Sequence, residues 1–437
     1  MRRTQLLAAV CLFAAPLAPA AAQDDLTAAV AADYEANLEE LFLHFHANPE
    51  LSFQEHATAA RLAQELRDLG YEVTEGVGGT GLVSVLENGD GPTVLIRADM
   101  DGLPVEELSG LPYASTARQP DIDGIERPVM HACGHDVHIT SLIGTARQLM
   151  ARREDWSGTL VLIAQPAEER GGGAHAMIED GLYERFPQPD YAVAFHVSSQ
   201  SEAGKIQISG GLVYSSVDSV DITVRGVGTH GASPHKGLDP VLIASEIVVA
   251  LQTVVSRSID PLQPGVITVG SIHGGSVHNV ISDHVDMQLT VRANDLEVRE
   301  QLLDGIDRVS ENVARAMGVP DDLLPIVTRR EIRTPATFND DEAAARVEAA
   351  FINAFGEDRL TYQPREGMGG EDFAYLAAPE QPEVKGVYFS VGGTPAENLE
   401  TAPAHHSALF QIVPEPAVTT GVEATVVAAL ELFRSEE

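Results

Sequence analysis

Residues 158–170 read GTLVLIAQPAEER. A short apolar run rich in leucine, valine and isoleucine predicts a buried strand, and it stops at a glutamine, a proline and two adjacent glutamates. Two other stretches share this form: PTVLIRADMD (92–101) ends in aspartates and DYAVAFHV (190–197) ends at a histidine. Between them, ITSLIGTARQLMARRE (139–154) carries the spacing of an amphipathic helix. Strands alternating with helices indicate an α/β sheet covered by helices on both faces. In open sheets of this kind a site forms outside the carboxyl ends of the strands. The three polar endings, distant in sequence, are therefore expected to meet in space.

Outward from this core the pattern is helical from about Asp33 to Leu69, stopping at Gly70. From Val217 the order changes to strand (219–226), helix (239–258), strand (265–275), strand (284–293), long helix (296–318) and strand (324–334). That βαββαβ order is the ferredoxin-like arrangement. After Pro335 the helix, strand and final helix of an α/β unit return. The expected architecture is α/β: a catalytic domain with a mixed sheet flanked by helices, split into residues 23–212 and 335–437, with a ferredoxin-like lid domain inserted at 213–334. Gly211 and Thr334 mark the hinges.

The chain opens MRRTQLLAAVCLFAAPLAPAAAQDD, two arginines followed by a short apolar run and small residues. This is the layout of a signal peptide covering residues 1–22, cut after Ala22, and it implies an exported protein, periplasmic or secreted. The run is broken by Pro16 and Pro19, and crossing a bilayer takes about 20 apolar residues. No other transmembrane stretch is evident. Cys11 lies inside the run, which argues against lipid attachment. Removing Arg2 and Arg3 takes the formal charge from −37 to −39 and leaves Cys133 as the one cysteine, so no disulfide forms within the mature chain. A charge of this sign is repelled by nucleic acid and by anionic membranes, which leaves a small molecule as the expected partner. With 437 residues, 44% of them hydrophobic, the chain exceeds one ordinary domain.

A lone thiol in an oxidising compartment calls for burial or a bound partner. Cys133 sits in MHACGHDVH (130–138), two residues from His135. In an extended loop the two side chains would point the same way, and thiolate with imidazole is a ligand set favoured by zinc and its neighbours. Of the adjacent Glu168 and Glu169, a strand-like backbone would send one to a metal and the other to a substrate. His196 ends the third strand as a further ligand candidate. Asp99 and Asp101 are ligands or acceptors that fix the tautomer of a ligand histidine. His405 and His406 follow a proline-containing loop, where ligand and ordinary loop roles weigh equally.

RADMDGLP, MHACGHDVH, QPAEERGGGA, THGASPH and GMGGEDF occur in this order across most of the chain. Together they resemble the amidohydrolase branch of metallopeptidase family twenty, which includes hippurate hydrolases, N-acyl-amino-acid amidohydrolases and indoleacetyl-amino-acid hydrolases. The resemblance implies that fold and a site for two divalent ions, Zn2+ or Mn2+ with Ni2+ or Co2+ as alternatives, held by Cys133, His135, Glu169, His196 and a C-terminal histidine. It implies Glu168 as general base. HHSALF aligns with the family's last motif through His406 and Phe410, with Ala408 where proline is usual, so His405 stays open as the alternative. The lid motif implies His230 as a donor to the scissile carbonyl. VHNVISD, with Ser282 in place of a proline, implies Asn279 as a ligand of the substrate carboxylate, and Arg292 is a second candidate. A homodimer or homotetramer is expected, His230 reaching a neighbouring subunit's site. The reaction implied is hydrolysis of the amide bond of an N-acyl amino acid or a related conjugate, to acid plus amine. A carboxypeptidase or dipeptidase with the same site, a cysteine-nucleophile amidase and a non-catalytic metal-binding protein are the alternatives.

Overall fold

The structure, a computed structural model, describes residues 19–365, 367–377, 381 and 383–434. Most of the expected signal peptide therefore lies outside the described residues. Helix Pro19–Asp33 begins within its last part and runs through the expected cut site.

A seven-stranded mixed sheet forms the larger layer, in the order Glu72–Val77, Gly81–Asn88, Gly158–Gln165, Thr93–Asp99, Tyr191–Glu202, Lys385–Thr394 and Ile206–Ile208. The four strands from Gly158–Gln165 to Lys385–Thr394 pair in parallel, and the flanking pairs are antiparallel. Successive side chains of a strand point to opposite faces, and both faces are dry here. Ile96, Leu162 and Val193 pack under helices His135–Ala151 and Pro414–Leu432. Leu95, Val161 and Ala192 pack on the other side with Met177 and Phe373. That two-sided burial explains why these strands read as continuous apolar runs. The edge strand Glu72–Val77 escaped the sequence reading because it is mostly exposed, with little apolar content to mark it.

The inserted unit is a four-stranded antiparallel sheet in the order Gly265–Gly274, His284–Ala293, Ser216–Arg225 and Ile326–Arg329. Its helices Pro240–Thr253 and Leu296–Ala316 pack together and cover one face through Ile243, Ile247, Leu302 and Ile306. Each begins with an aspartate, Asp239 or Asp295, whose carboxylate accepts first-turn amides. The helical stretch Pro240–Ser258 is long and apolar enough by composition to cross a membrane, although its Ile243 face is spent on this sheet. The two chain crossings run side by side: Val217 bridges Thr334, and Gly211–Tyr214 pairs with Thr337–Asn339. Between strands Gly211–Tyr214 and Ser216–Arg225, Ser215 N–H donates to Gly369 O over 2.8 Å, which ties this crossing to the loop that leads to Glu371.

Candidate metal centre

Cys133, His135, Glu168, Glu169, His196 and His406 converge at the carboxyl ends of the parallel strands. One ligand atom each of Cys133, His135 and His196 lie within 4.8 Å of one another, and the same holds for Cys133, Glu169 and His406. The thiol belongs to both sets.

Local backbone differs from the sequence expectation at two places, and in both a left-handed residue replaces extended chain. Gly134 has φ 85° and caps helix His135–Ala151, so Cys133 and His135 are joined by a left-handed turn rather than by a period-two loop. Helix His135–Ala151 also starts about one turn before the stretch 139–154 that the spacing predicts. A Cβ at Gly134 would meet Val197 Cγ1 at 2.3 Å, so that close approach of loop to strand requires glycine. Glu168 and Glu169 lie in the 3-10 turn Glu168–Arg170 beyond the strand, after Ala167 at φ 48°. A non-glycine residue in this region costs on the order of 1–3 kcal/mol, which surrounding contacts must offset. Asp101 supplies part of that offset: its two carboxylate oxygens accept the N–H groups of Glu168 (3.0 Å) and Glu169 (3.2 Å). Glu169 faces His135 and His406, while Glu168 lies between two groups, with ligand atoms within 4.8 Å of His135 and Glu169 on one side and of Glu371 and Asp372 on the other.

The histidines are committed by their second nitrogen. His135 Nδ1–H donates to the Asp101 carbonyl over 2.9 Å, leaving Nε2 buried with no partner, 3.9 Å from an equally unpartnered Glu169 Oε1. His196 Nδ1–H donates to Val197 O over 2.7 Å, so its Nε2 faces Cys133 Sγ at 3.4 Å. His138 is close but spent: Nδ1–H donates to Asp99 over 2.5 Å and Nε2 accepts Val197 N–H over 2.9 Å. His405 Nε2–H donates to Val197 O over 3.0 Å, whereas His406, at φ 64°, brings Nε2 to 3.4 Å from Glu169 Oε2.

The donor set fits divalent cations. Burial and the adjoining Glu169 push the Cys133 thiol well up. Burial, with Asp101 and Asp99 close by, raises the Glu169 carboxyl to about 7 against the pull of His135. Burial and the neighbouring Glu371 and Asp372 raise Glu168 as well. Buried acids that repel one another, beside lone pairs with no donor, are an arrangement that a cation relieves. The protein's own cation here, Arg97, is fully committed beneath the site to Asp99 (2.8 Å), Glu371 (2.7 Å), Asp372 (3.2 Å) and Gln165 (2.7 Å).

His230 and Asn279 stand apart from this cluster. Both are exposed on the lid, and they neighbour each other, since Gly231 N–H donates to Asn279 O over 2.8 Å. Arg292 lies closer: its Nη1 is 3.3 Å from the place of a Cβ on Gly370. The sequence reading missed Arg97, Glu55, Glu371 and Asp372. The acids of GMGGEDF were a visible signal, but nothing in the sequence marks Arg97 as the partner of a residue 274 positions away.

Residues 95–429 match the model of peptidase family M20/M25/M40. The chain is 38% identical over 345 residues to a hippurate hydrolase of Campylobacter jejuni, covering 79% of this chain and 86% of the relative. It is 35% identical over 390 residues to thermostable carboxypeptidase 2 of Saccharolobus solfataricus, covering 88% and 93%. Among solved structures, a dinuclear metal-binding peptidase of the M20 family from Bacillus subtilis superposes with a TM-score of 0.73 at 28% identity, covering 91% of this chain and 98% of the other.

Proposed function

From the premise that the chain belongs to peptidase family M20/M25/M40, we propose that it hydrolyses N-acyl amino acids to a carboxylic acid and an amino acid. The observation that carries this reading is the pair of ligand sets sharing Cys133, with Glu168 within 4.8 Å of His135 and Glu169 but in neither of those two sets. Cys133, His135, Glu169, His196 and His406 would hold two divalent ions, with Zn2+ or Mn2+ favoured by the thiolate, imidazole and carboxylate set and Ni2+ or Co2+ as alternatives. Such ions, when bound, lower the pKa of water from about 16 towards about 7 and polarise a carbonyl.

The chain's own residues do the rest. Glu168 takes the proton from the attacking water and returns it to the leaving nitrogen, a task for a carboxylate free of metal. The Asp101 backbone carbonyl keeps His135 in the required tautomer, whereas the Asp99 carboxylate holds His138, which is not among these ligands. His230, brought in by lid closure or from a neighbouring subunit, donates to the developing oxyanion, and donors of this kind are worth about 3–4 kcal/mol. Asn279 and Arg292 receive the substrate carboxylate. A cysteine-nucleophile reading would leave the converging carboxylates without a role.

Metal analysis of the purified protein decides the reading, together with hydrolysis of a panel of N-acyl amino acids with and without chelator. Chelator-insensitive turnover, or none on any member, rejects it. The carboxypeptidase relative favours peptides as a second substrate class, and dipeptides in the same panel separate the two. Export follows from the N-terminal layout and is tested by fractionation. Val241, Leu242 and Val249, exposed on helix Pro240–Thr253, support self-association into a homodimer or homotetramer, which light scattering would read.

A further inference from the structure

Three successive amides carry the turn that presents Glu168 and Glu169, and each donates to a buried carboxylate. Asp101 takes those of Glu168 and Glu169. The first, Ala167 N–H, donates over 2.8 Å to Oε1 of Glu55, a residue 112 positions away and fully buried. The same Oε1 accepts Phe53 N–H over 3.0 Å, and the Thr80 hydroxyl donates to Oε2. Phe53 and Ala167 are two of the three non-glycine residues with positive φ among the described residues, so one carboxylate ties both left-handed positions together. Ser52, three residues before Glu55, donates its hydroxyl to Asp101 Oδ2 over 2.6 Å. Segment 52–55 thus braces both carboxylates that hold the turn.

We propose that Glu55 is a positioning residue of the reaction: by holding Ala167 in its left-handed conformation it aims Glu168 and Glu169, without touching substrate or metal. The kinetic part of this inference rests on the hydrolase reading above, and the metal-affinity part stands without it. Geometry, rather than charge, is what the position requires. In Glu55→Gln the amide oxygen still accepts both N–H groups and the amide NH2 donates to the Thr80 hydroxyl. In Glu55→Asp the charge remains but the side chain is one methylene short.

The experiment compares wild type, Glu55→Gln and Glu55→Asp for zinc affinity by chelator competition, and for kcat and KM on N-benzoylglycine after metal loading. Values are normalised to folded protein by circular dichroism. Supports of metal ligands are worth roughly 10–100-fold in affinity or activity, so Glu55→Asp should lose about that much in kcat and in zinc affinity with KM within about twofold, and Glu55→Gln should stay within about threefold of wild type. Wild-type kcat and zinc affinity in folded Glu55→Asp overturn the proposal, as does the reverse order with Asp active and Gln impaired. If Glu55→Asp does not fold, Thr80→Val, which frees Oε2, should show the same losses at smaller size, and unchanged values there overturn it too. A wild type that hydrolyses nothing in the panel removes the hydrolase reading while the order of zinc affinities still decides Glu55.

Discussion

His405 donates its Nε2–H to the carbonyl oxygen of Val197 over 3.0 Å, and the neighbouring His196 donates its Nδ1–H to the same oxygen over 2.7 Å. One peptide oxygen thereby sorts two histidines, leaving His196 Nε2 free and taking His405 Nε2 out of use. Burial, together with the adjacent His406, lowers the His405 pKa to about 4, so it stays neutral. His406→Ala should therefore lower metal content, by about 10-fold or more in affinity. His405→Gln should keep both metals and mainly lower the melting temperature. Metal analysis after dialysis against weak chelator checks this, and equal losses in the two variants would contradict the assignment.

Glu168→Gln should bind metal as wild type and lose about 10²–10⁴-fold in kcat, the range of a positioned general base. Steady-state kinetics on metal-saturated protein reads the result, and full activity would remove Glu168 from its role.

Metal affinity should rise with pH. The Cys133 thiol is pushed well up by burial and the Glu169 carboxyl to about 7, and metal binding must displace both protons. Zinc competition titrations between pH 6 and 8 should show affinity climbing as protons leave. Cys133→Ser should lower zinc occupancy and flatten that slope.

Gly134→Ala places a methyl where φ is 85° and where Val197 Cγ1 would be 2.3 Å away. Left-handed backbone alone costs alanine about 1–2 kcal/mol, and the clash adds to it. A lower denaturation midpoint, with weaker zinc binding because Cys133 and His135 flank the residue, is expected from urea melts and chelator competition.

His46 bridges Asp136 (2.7 Å) and Glu107 (3.2 Å) in a buried network under helix His135–Ala151. Burial opposes its charge, but the two carboxylates outweigh it and push its pKa up to about 10 from 6.5. A raised folded-state pKa stabilises fully below the unfolded value and is lost as pH climbs through the folded one. His46→Gln should cost about 3 kcal/mol or more near pH 6. The gap to wild type should shrink towards pH 10 in chemical denaturation, and a gap independent of pH would refute the imidazolium.

The order of strands and helices, the inserted βαββαβ unit and the meeting of Cys133, His135, Glu169 and His196 were legible in sequence. Buried parallel strands must be apolar along their whole length, and their polar ends can only lie at the sheet's carboxyl edge. Five ordered motifs supplied the chemistry. What sequence left open is which polar groups face the ions and which hold the backbone. GHDVH offers two histidines of one kind, and only the folded chain commits His138 to Asp99 and Val197 while leaving His135 Nε2 bare. Glu55 and Arg97 carried no signal, since their partners stand 112 and up to 275 residues away. A hydrogen bond is decided by distance and direction within about 3 Å, and across such separations those are set by tertiary packing alone.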